Sequence, residues 1–237
     1  MDKVTIIIPF YNCTYINQAI ESALNQSYKN IEIIVVNDGS TIHNEKVSAY
    51  LTKIRYFEKK NGGTASALNM GIKHATGDYF AWLSSDDIFH PEKIEKQLHF
   101  MKTVRAEATY SNFYLINELS HIISSPQGVG YQTEADFLKR MSRGCVINGC
   151  TVMLKMDVFR EFGLFDETLL YTQDYDYWLR ILSRYNFVYY PEPLVNYRIH
   201  KNMGTKQHKL EIRKELVITT KKHRFKMNEL IKNALQK

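Results

Sequence analysis

The sequence predicts an α/β protein built on a mostly parallel sheet flanked by helices. Three observations predict it. Strand-like and helix-like segments alternate from Val4 to Leu83, and the first strand is apolar on both faces. The chain of 237 residues, 44% hydrophobic and 24% charged, also has enough apolar material for a full core. Val4–Pro9 (Val-Thr-Ile-Ile-Ile-Pro) is β-branched at successive positions, the pattern of a strand covered on both sides. Tyr15–Ser27 places Ile16, Ala19, Ile20, Ala23 and Leu24 at helical spacing. Ile31–Val36 reads as the second strand, Ile54–Phe57 as a short third, Thr64–Ala75 as a helix and Tyr79–Leu83 as the fourth strand. Right-handed crossovers would keep these strands parallel.

Beyond Asp87 the alternation loosens. Pro91–Lys102 opens a helix with proline in its first turn, and Ala108–Ile116 suits a strand. Gln127–Gly130 reads as a loop, and Thr133–Met141, Asp157–Phe162 and Asp174–Tyr185 as helices. Thr205–Lys237 has helical spacing and contains neither Gly nor Pro. The one internal boundary falls near Lys201, which gives a body of residues 1–204 and a tail of 205–237. Charge follows that division. The net +6 resolves into +8 over residues 201–237 and −2 over the first 200. A basic tail of this kind suits an anionic membrane surface, nucleic acid or solvent.

Three cysteines, Cys13, Cys145 and Cys150, cannot all pair and match no zinc spacing, so free thiols in a reducing compartment are expected. No apolar run approaches the roughly 18–20 residues of a membrane span. Met1-Asp2-Lys3 leads directly into a run too short for a signal-peptide core. The expected location is cytoplasmic, with peripheral attachment to the inner face of the plasma membrane as an option for the tail.

In open α/β sheets, ligands bind beyond the carboxyl ends of the strands. After the first strand, Pro9-Phe10-Tyr11-Asn12-Cys13 lacks the glycines of a dinucleotide or Walker loop. After the second comes Asn37-Asp38-Gly39-Ser40-Thr41, and after the fourth Ser84-Ser85-Asp86-Asp87. Paired carboxylates at a strand end repel one another and resist desolvation, which calls for a cation or a shared proton. Hard oxygen ligands suit Mg²⁺ or Mn²⁺ on a diphosphate. The same pair also suits a solvated turn ahead of the next helix. Asp174 and Asp176, at the start of a helix, equally suit dipole stabilisation.

Several motifs then coincide in order. Thr5–Asn12, Ile33–Thr41, Asn61-Gly62-Gly63 with Ala67, Asn69 and Gly71, Ser85-Asp86-Asp87, Phe165-Asp166-Glu167 with Gln173–Arg180, and Tyr197-Arg198-Ile199-His200 resemble the family 2 glycosyltransferases. The resemblance runs from about Val4 to about His200. It implies a GT-A fold with a donor half (1–100) and an acceptor half (101–204). It also implies an inverting, Mn²⁺- or Mg²⁺-dependent enzyme that moves a sugar from a nucleotide-sugar, usually a UDP-sugar, to a hydroxyl. Carried over, Pro9, Tyr11, Asp38, Asn69 and Asp86 would bind the donor, with Tyr11 stacked on the base and Asp38 accepting its N–H. Asp86 would meet the ribose, Asp87 would ligate the metal, and His200 would be a further metal or phosphate contact. Asp174 would be the catalytic base, and Gly149 and Trp178 would lie on the acceptor side. Ser84 and Gln173 depart from the family, standing where many members have Asp and Glu.

The expected activity is hexosyl or N-acetylhexosaminyl transfer to a glycan or lipid-linked glycan in bacterial surface polysaccharide or oligosaccharide synthesis. A sugar-nucleotide nucleotidyltransferase shares the architecture, but its Gly-rich basic loop has no counterpart in Pro9–Thr14. A non-catalytic nucleic-acid or anion-binding module would need Lys and Arg at the strand ends, where aromatic and acidic residues stand, so nucleic acid is not an expected partner.

Overall fold

The computed structural model describes residues 2–236. Its first half follows the predicted alternation: β1 (Val4–Phe10), α1 (Ile16–Leu24), β2 (Ile31–Asn37), α2 (Glu45–Ser48), β3 (Arg55–Glu58), α3 (Gly63–His74), β4 (Tyr79–Trp82). The second half continues with β5 (Ile88–Phe89), α4 (Lys93–Thr103), β6 (Ala108–Ile116), α5 (Glu134–Met141), β7 (Met153–Lys155), α6 (Asp157–Phe162) and α7 (Gln173–Ile181). It closes with β8 (Phe187–Arg198), α8 (Gly204–Gln207) and α9 (Lys209–Ala234). The eight strands form one sheet in the order β3-β2-β1-β4-β7-β6-β8-β5.

β1 is central to the parallel half, paired in parallel with β2 on one side and β4 on the other. Its β-branched run is buried on both faces, as its composition requires. Ile7 joins Ile34, Val36, Phe80 and Trp82 in the core under α3, α5, α6 and α7. Ile6 and Ile8 join Ile33, Val35, Ala81 and Leu83 in the core under α1, α2 and α4. α3 lies so close to β1 that a Cβ on Gly71 would stand 2.5 Å from Ile7 Cγ2. Thr133 caps α5 by accepting the Asp136 N–H at 3.1 Å, which fixes the predicted start of that helix.

The sheet becomes mixed beyond β4. β7 is antiparallel to both β4 and β6, while β6 and β8 run parallel. The twelve-residue β8 has no counterpart in the predicted elements because it contains Pro191 and Pro193, which break a strand pattern. A register shift around Asn112 absorbs them, and the Asn112 amide donates to the Pro191 carbonyl at 3.0 Å. β5 is short but decisive: it pairs with β8 and so brings residues 86–87 against residues 198–200.

The basic tail packs on the body. Met227 of α9 is buried in the core with α5 and α7, and Leu216, Leu230, Ile231 and Ala234 pack against it. Among the described residues, no helix is long and apolar enough to cross a membrane.

Candidate active site

A cleft of about 1030 Å³ opens at the carboxyl ends of β1, β2 and β4. Pro9, Tyr11, Asp38, Asp86, Gly149, Asp174 and His200 all line it, which unites residues from both halves of the chain. At the end of β1, Tyr11 leaves 53% of its surface open, so a ring face is free for a ligand. The turn beneath it is fixed by Asn12, whose Oδ1 accepts the amides of Thr41 (2.8 Å) and Ile42 (3.2 Å).

Asp38 is almost fully buried at the end of β2. Its Oδ1 accepts from Lys59 Nζ at 2.8 Å and the Gly62 amide at 3.0 Å, and its Oδ2 from the Gly63 amide at 2.8 Å. The carboxylate therefore pins the loop that opens α3. A carboxylate has about four acceptor positions, so Oδ2 retains capacity for a further donor.

The two adjacent carboxylates after β4 part company. Asp86 lines the cleft, and its Oδ2 lies 2.9 Å from His200 Nε2. The His200 ring is held edge-on against Tyr15, with centroids 5.5 Å apart. Asp87, expected at the metal, is instead wholly buried and does not line the cleft. Its Oδ1 accepts the Arg198 amide at 2.8 Å and its Oδ2 the Cys150 thiol at 3.2 Å. Burial, and then the neighbouring Asp86 charge, hold its carboxyl well above the usual range. The chain turns here, the Asp87 amide donating to the Ser84 carbonyl at 3.1 Å, and only Asp86 of the pair lines the cleft.

Arg198 sets this corner, and sequence reasoning missed it. Its fully buried side chain donates to the Asp86 carbonyl (2.7 Å), the Asn117 carbonyl (3.0 Å), Ser120 Oγ (3.0 Å) and Gln18 Oε1 (2.7 Å). Its guanidinium also lies 4.2 Å from the centre of the Tyr15 ring. The available signal was its place between Tyr197 and His200 in a motif at the end of β8, where a buried charge must find partners.

Asp174 stands in the first turn of α7 and lines the same cleft. Its Oδ1 accepts the Tyr175 amide at 2.7 Å, and burial pushes its carboxyl up to about 6. Neighbouring Gln173 is buried and also lines the cleft, and its Oε1 has no hydrogen-bond partner among the described residues. Asp176 points the other way, into an ion cluster with Arg180 (3.0 Å), Lys222 (2.8 Å) and His223 (2.8 Å).

Two expected site residues belong to the core instead. Asn69 is buried. Its amide donates to the Phe165 carbonyl (2.9 Å) and Glu167 Oε1 (2.8 Å), and its Oδ1 accepts the Phe165 N–H (3.0 Å), so it ties α3 to the loop before α7 rather than meeting a donor. Trp178 is fully buried, edge-on to Phe187 at 5.4 Å, and packs the sheet rather than an acceptor. Gly149 does form cleft wall, and its lack of a side chain is required: a Cβ there would lie 2.3 Å from the Trp82 ring.

Residues 5–162 match the model of the family described as Glycosyl transferase family 2. The chain belongs to that family. A glycosyltransferase of Rickettsia typhi described as uncharacterized is 44% identical over 209 residues, covering 85% of this chain and 65% of the relative. The Escherichia coli protein WfaP, a UDP-Glc:α-D-GlcNAc-diphosphoundecaprenol β-1,3-glucosyltransferase, is 34% identical over 192 residues, 78% of this chain and 72% of WfaP. The chain thus spans about two thirds of the length of these two relatives. The crystal structure of S. aureus TarS 1–349 in complex with UDP-GlcNAc superposes with a TM-score of 0.70 at 19% identity, covering 85% of this chain and 60% of that one. At that identity the likeness is one of fold, and the fold is GT-A.

Proposed function

We propose that this family 2 glycosyltransferase carries out inverting transfer from a nucleoside-diphosphate sugar, with UDP the favoured nucleotide, to a hydroxyl of a glycan acceptor. The observation that carries this reading is that Asp174, with its raised carboxyl, lines one cleft with the Asp86–His200 pair. Asp174 takes the proton of the acceptor hydroxyl as that oxygen bonds to the anomeric carbon. The bond to the diphosphate breaks on the opposite face, and the nucleoside diphosphate leaves with the electron pair. A single displacement of this kind inverts the configuration. A base with a carboxyl near 6 is ionised at neutral pH yet more basic than a surface aspartate, which favours proton transfer. Tyr11 offers its open ring to the base, and Asp38 Oδ2 its free acceptor position.

The divalent cation implied by the fold family fits Asp86 and His200 by donor chemistry. Asp86 and His200, one carboxylate and one imidazole lining the cleft, would hold it together with the substrate diphosphate. Bound there, such a cation would neutralise charge on the departing diphosphate. Asp87 is not part of this set, because both of its oxygens are engaged inside the protein.

The acceptor class we favour is a lipid-linked glycan, in keeping with the diphosphoundecaprenol named for the WfaP relative. The outward face of α9 supports attachment to an anionic bilayer. It exposes Leu210, Val217, Ile218, Phe225 and Leu235 among Lys214, Lys221, Arg224 and Lys232.

A thermal-shift panel of UDP, GDP, dTDP and CDP sugars, each with and without Mn²⁺, tests the reading. One UDP-sugar should stand apart, as RT ln(1 + [L]/Kd) requires of the tightest ligand, and its Mn²⁺-dependent part should vanish in Asp86→Asn. A flat panel would refute the donor assignment. An unchanged Mn²⁺ effect in Asp86→Asn would refute the ligand assignment.

A further inference from the structure

α9 lies wholly outside the matched residues 5–162, yet it reaches the loop that carries the proposed base. Its Glu215 carboxylate accepts three consecutive backbone amides, Leu170 at 2.8 Å, Tyr171 at 2.7 Å and Thr172 at 2.5 Å. Thr172 is the N-cap residue of α7, but its own side chain does not cap the helix. Instead Thr172 Oγ1 meets Thr219 Oγ1 at 2.9 Å, both residues being buried. The Tyr171 ring packs tilted against His208, the residue before α9, with centroids 4.9 Å apart. Further along the same face of α9, Lys222 and His223 hold Asp176 of α7. Contacts from α9 therefore bracket Asp174 on both sides in sequence, at residues 170–172 and at residue 176.

Orphan amides at a helix start are commonly satisfied by a cap within the same segment. Here the amides of residues 170–172, which precede α7, are gathered by a carboxylate from an element more than forty residues away, so the loop has the conformation seen here only when α9 is docked. Leu170, Tyr171 and Gln173 line the cleft along with Asp174, so the same segment shapes the wall on which the base stands.

We infer that Glu215 is the positioning residue for Asp174: by gathering the amides of residues 170–172 it sets where the base stands in the cleft. The inference rests on Asp174 being the base. Electrostatics add a second connection, because the ionisable groups that reach Asp174 are Glu215 from α9 and Cys145 from the loop after α5. Glu215 opposes its ionisation, while the Asp174 charge in turn opposes that of the buried Cys145 thiol. A neutral residue at position 215 should therefore leave Asp174 easier to ionise as well as less well placed.

The test uses the full chain and the variants Glu215→Gln, Glu215→Ala and Asp174→Asn. Hydrogen exchange of the peptide spanning residues 168–176, affinity for UDP, and UDP release from UDP-glucose and UDP-N-acetylglucosamine across pH would be measured. Glu215→Gln should speed exchange in that peptide and keep UDP affinity within about twofold of wild type. It should lower kcat about 10–100-fold, the scale of a small misplacement of a reacting group. It should also move the acid limb of the pH–rate profile to lower pH. Glu215→Ala should go further in the same direction; should it fail to fold, the glutamine variant alone decides. Wild-type kcat and acid limb in Glu215→Gln would overturn the inference. So would a loss of kcat matched by an equal loss of UDP affinity, which would mark a general structural role. Near-normal turnover in Asp174→Asn would instead remove the base assignment itself, and the two failures are thereby told apart.

Discussion

Asp174 keeps part of its surface on the cleft, while the surrounding protein raises its carboxyl from the ordinary 3.8 to about 6. Two outcomes follow with opposite signs. Activity that needs the ionised form should rise with pH through about 6, and Asp174→Asn should lose at least 10²–10⁴-fold in turnover while UDP affinity is kept. Stability runs the other way. A carboxyl whose folded pKa lies above its unfolded value binds more protons when folded, so its contribution falls as pH rises from about 4 to about 6. At pH 7 the buried charge costs on the order of 2 kcal/mol, and Asp174→Asn should melt a few degrees higher than wild type. A melting temperature unchanged or lowered by that substitution would contradict the desolvation argument. The neighbouring aspartates show how far composition reaches at this scale. The sequence predicts a cation at the two carboxylates after β4. Which of them lines the cleft was not legible, because that depends on Arg198, 111 residues from Asp87, donating its backbone amide to the Asp87 carboxylate and its guanidinium to the Asp86 carbonyl.

The elements divide by how local their signals are. β1, β2, α3 and β4 were legible because their hydrophobic patterns are their own, and α5 and α6 because periodicity and a cap mark their ends. β8 was not, since its prolines are tolerated only through the register shift with β6. α7 shows both cases at once. Its amphipathic spacing predicted a helix, while the separate uses of Asp174 and Asp176 depend on which neighbour each meets. Burial alone would raise the Asp176 carboxyl, but hydrogen bonds from His223 and Lys222 and the charge of Arg180 outweigh it and hold it below the usual range. Its stabilising contribution is therefore complete above about pH 4 and is lost as pH falls further. Asp176→Asn should cost about 3 kcal/mol in urea melts at pH 7, the low end for breaking a buried ion cluster because Lys222 can turn to solvent. The difference from wild type should shrink at pH 3. A deficit that stays constant between the two pH values would count against the ion cluster as its source.

For the whole molecule, the docked tail changes what its charge can do. Of the tail's apolar residues, Leu216, Leu230 and Ile231 pack against the core, while Leu210, Val217, Ile218, Phe225 and Leu235 face out. Phe225, 76% exposed, is the most open of them. The wild-type chain should co-sediment with vesicles containing phosphatidylglycerol and not with neutral phosphatidylcholine vesicles. Phe225→Ser with Lys221→Glu should abolish that binding without changing the melting temperature by more than about a degree, as expected of exposed positions. Equal sedimentation of the double variant would remove the membrane role. Truncation before α9 is a poor substitute, since it would uncover the core at Met227 and release Glu215 from the catalytic loop. The sequence by itself determined the α/β class, the strand ends where ligands gather and the family of the chain, because buried strands, helix periodicity and strand-end motifs are short-range patterns. Only the tertiary structure decided that Asp86 and not Asp87 lines the cleft, that Asn69 and Trp178 serve the core, and that the tail clamps the loop before Asp174. Each of those depends on a partner far along the chain, and burial and hydrogen bonding across such distances exist only once the sheet has closed.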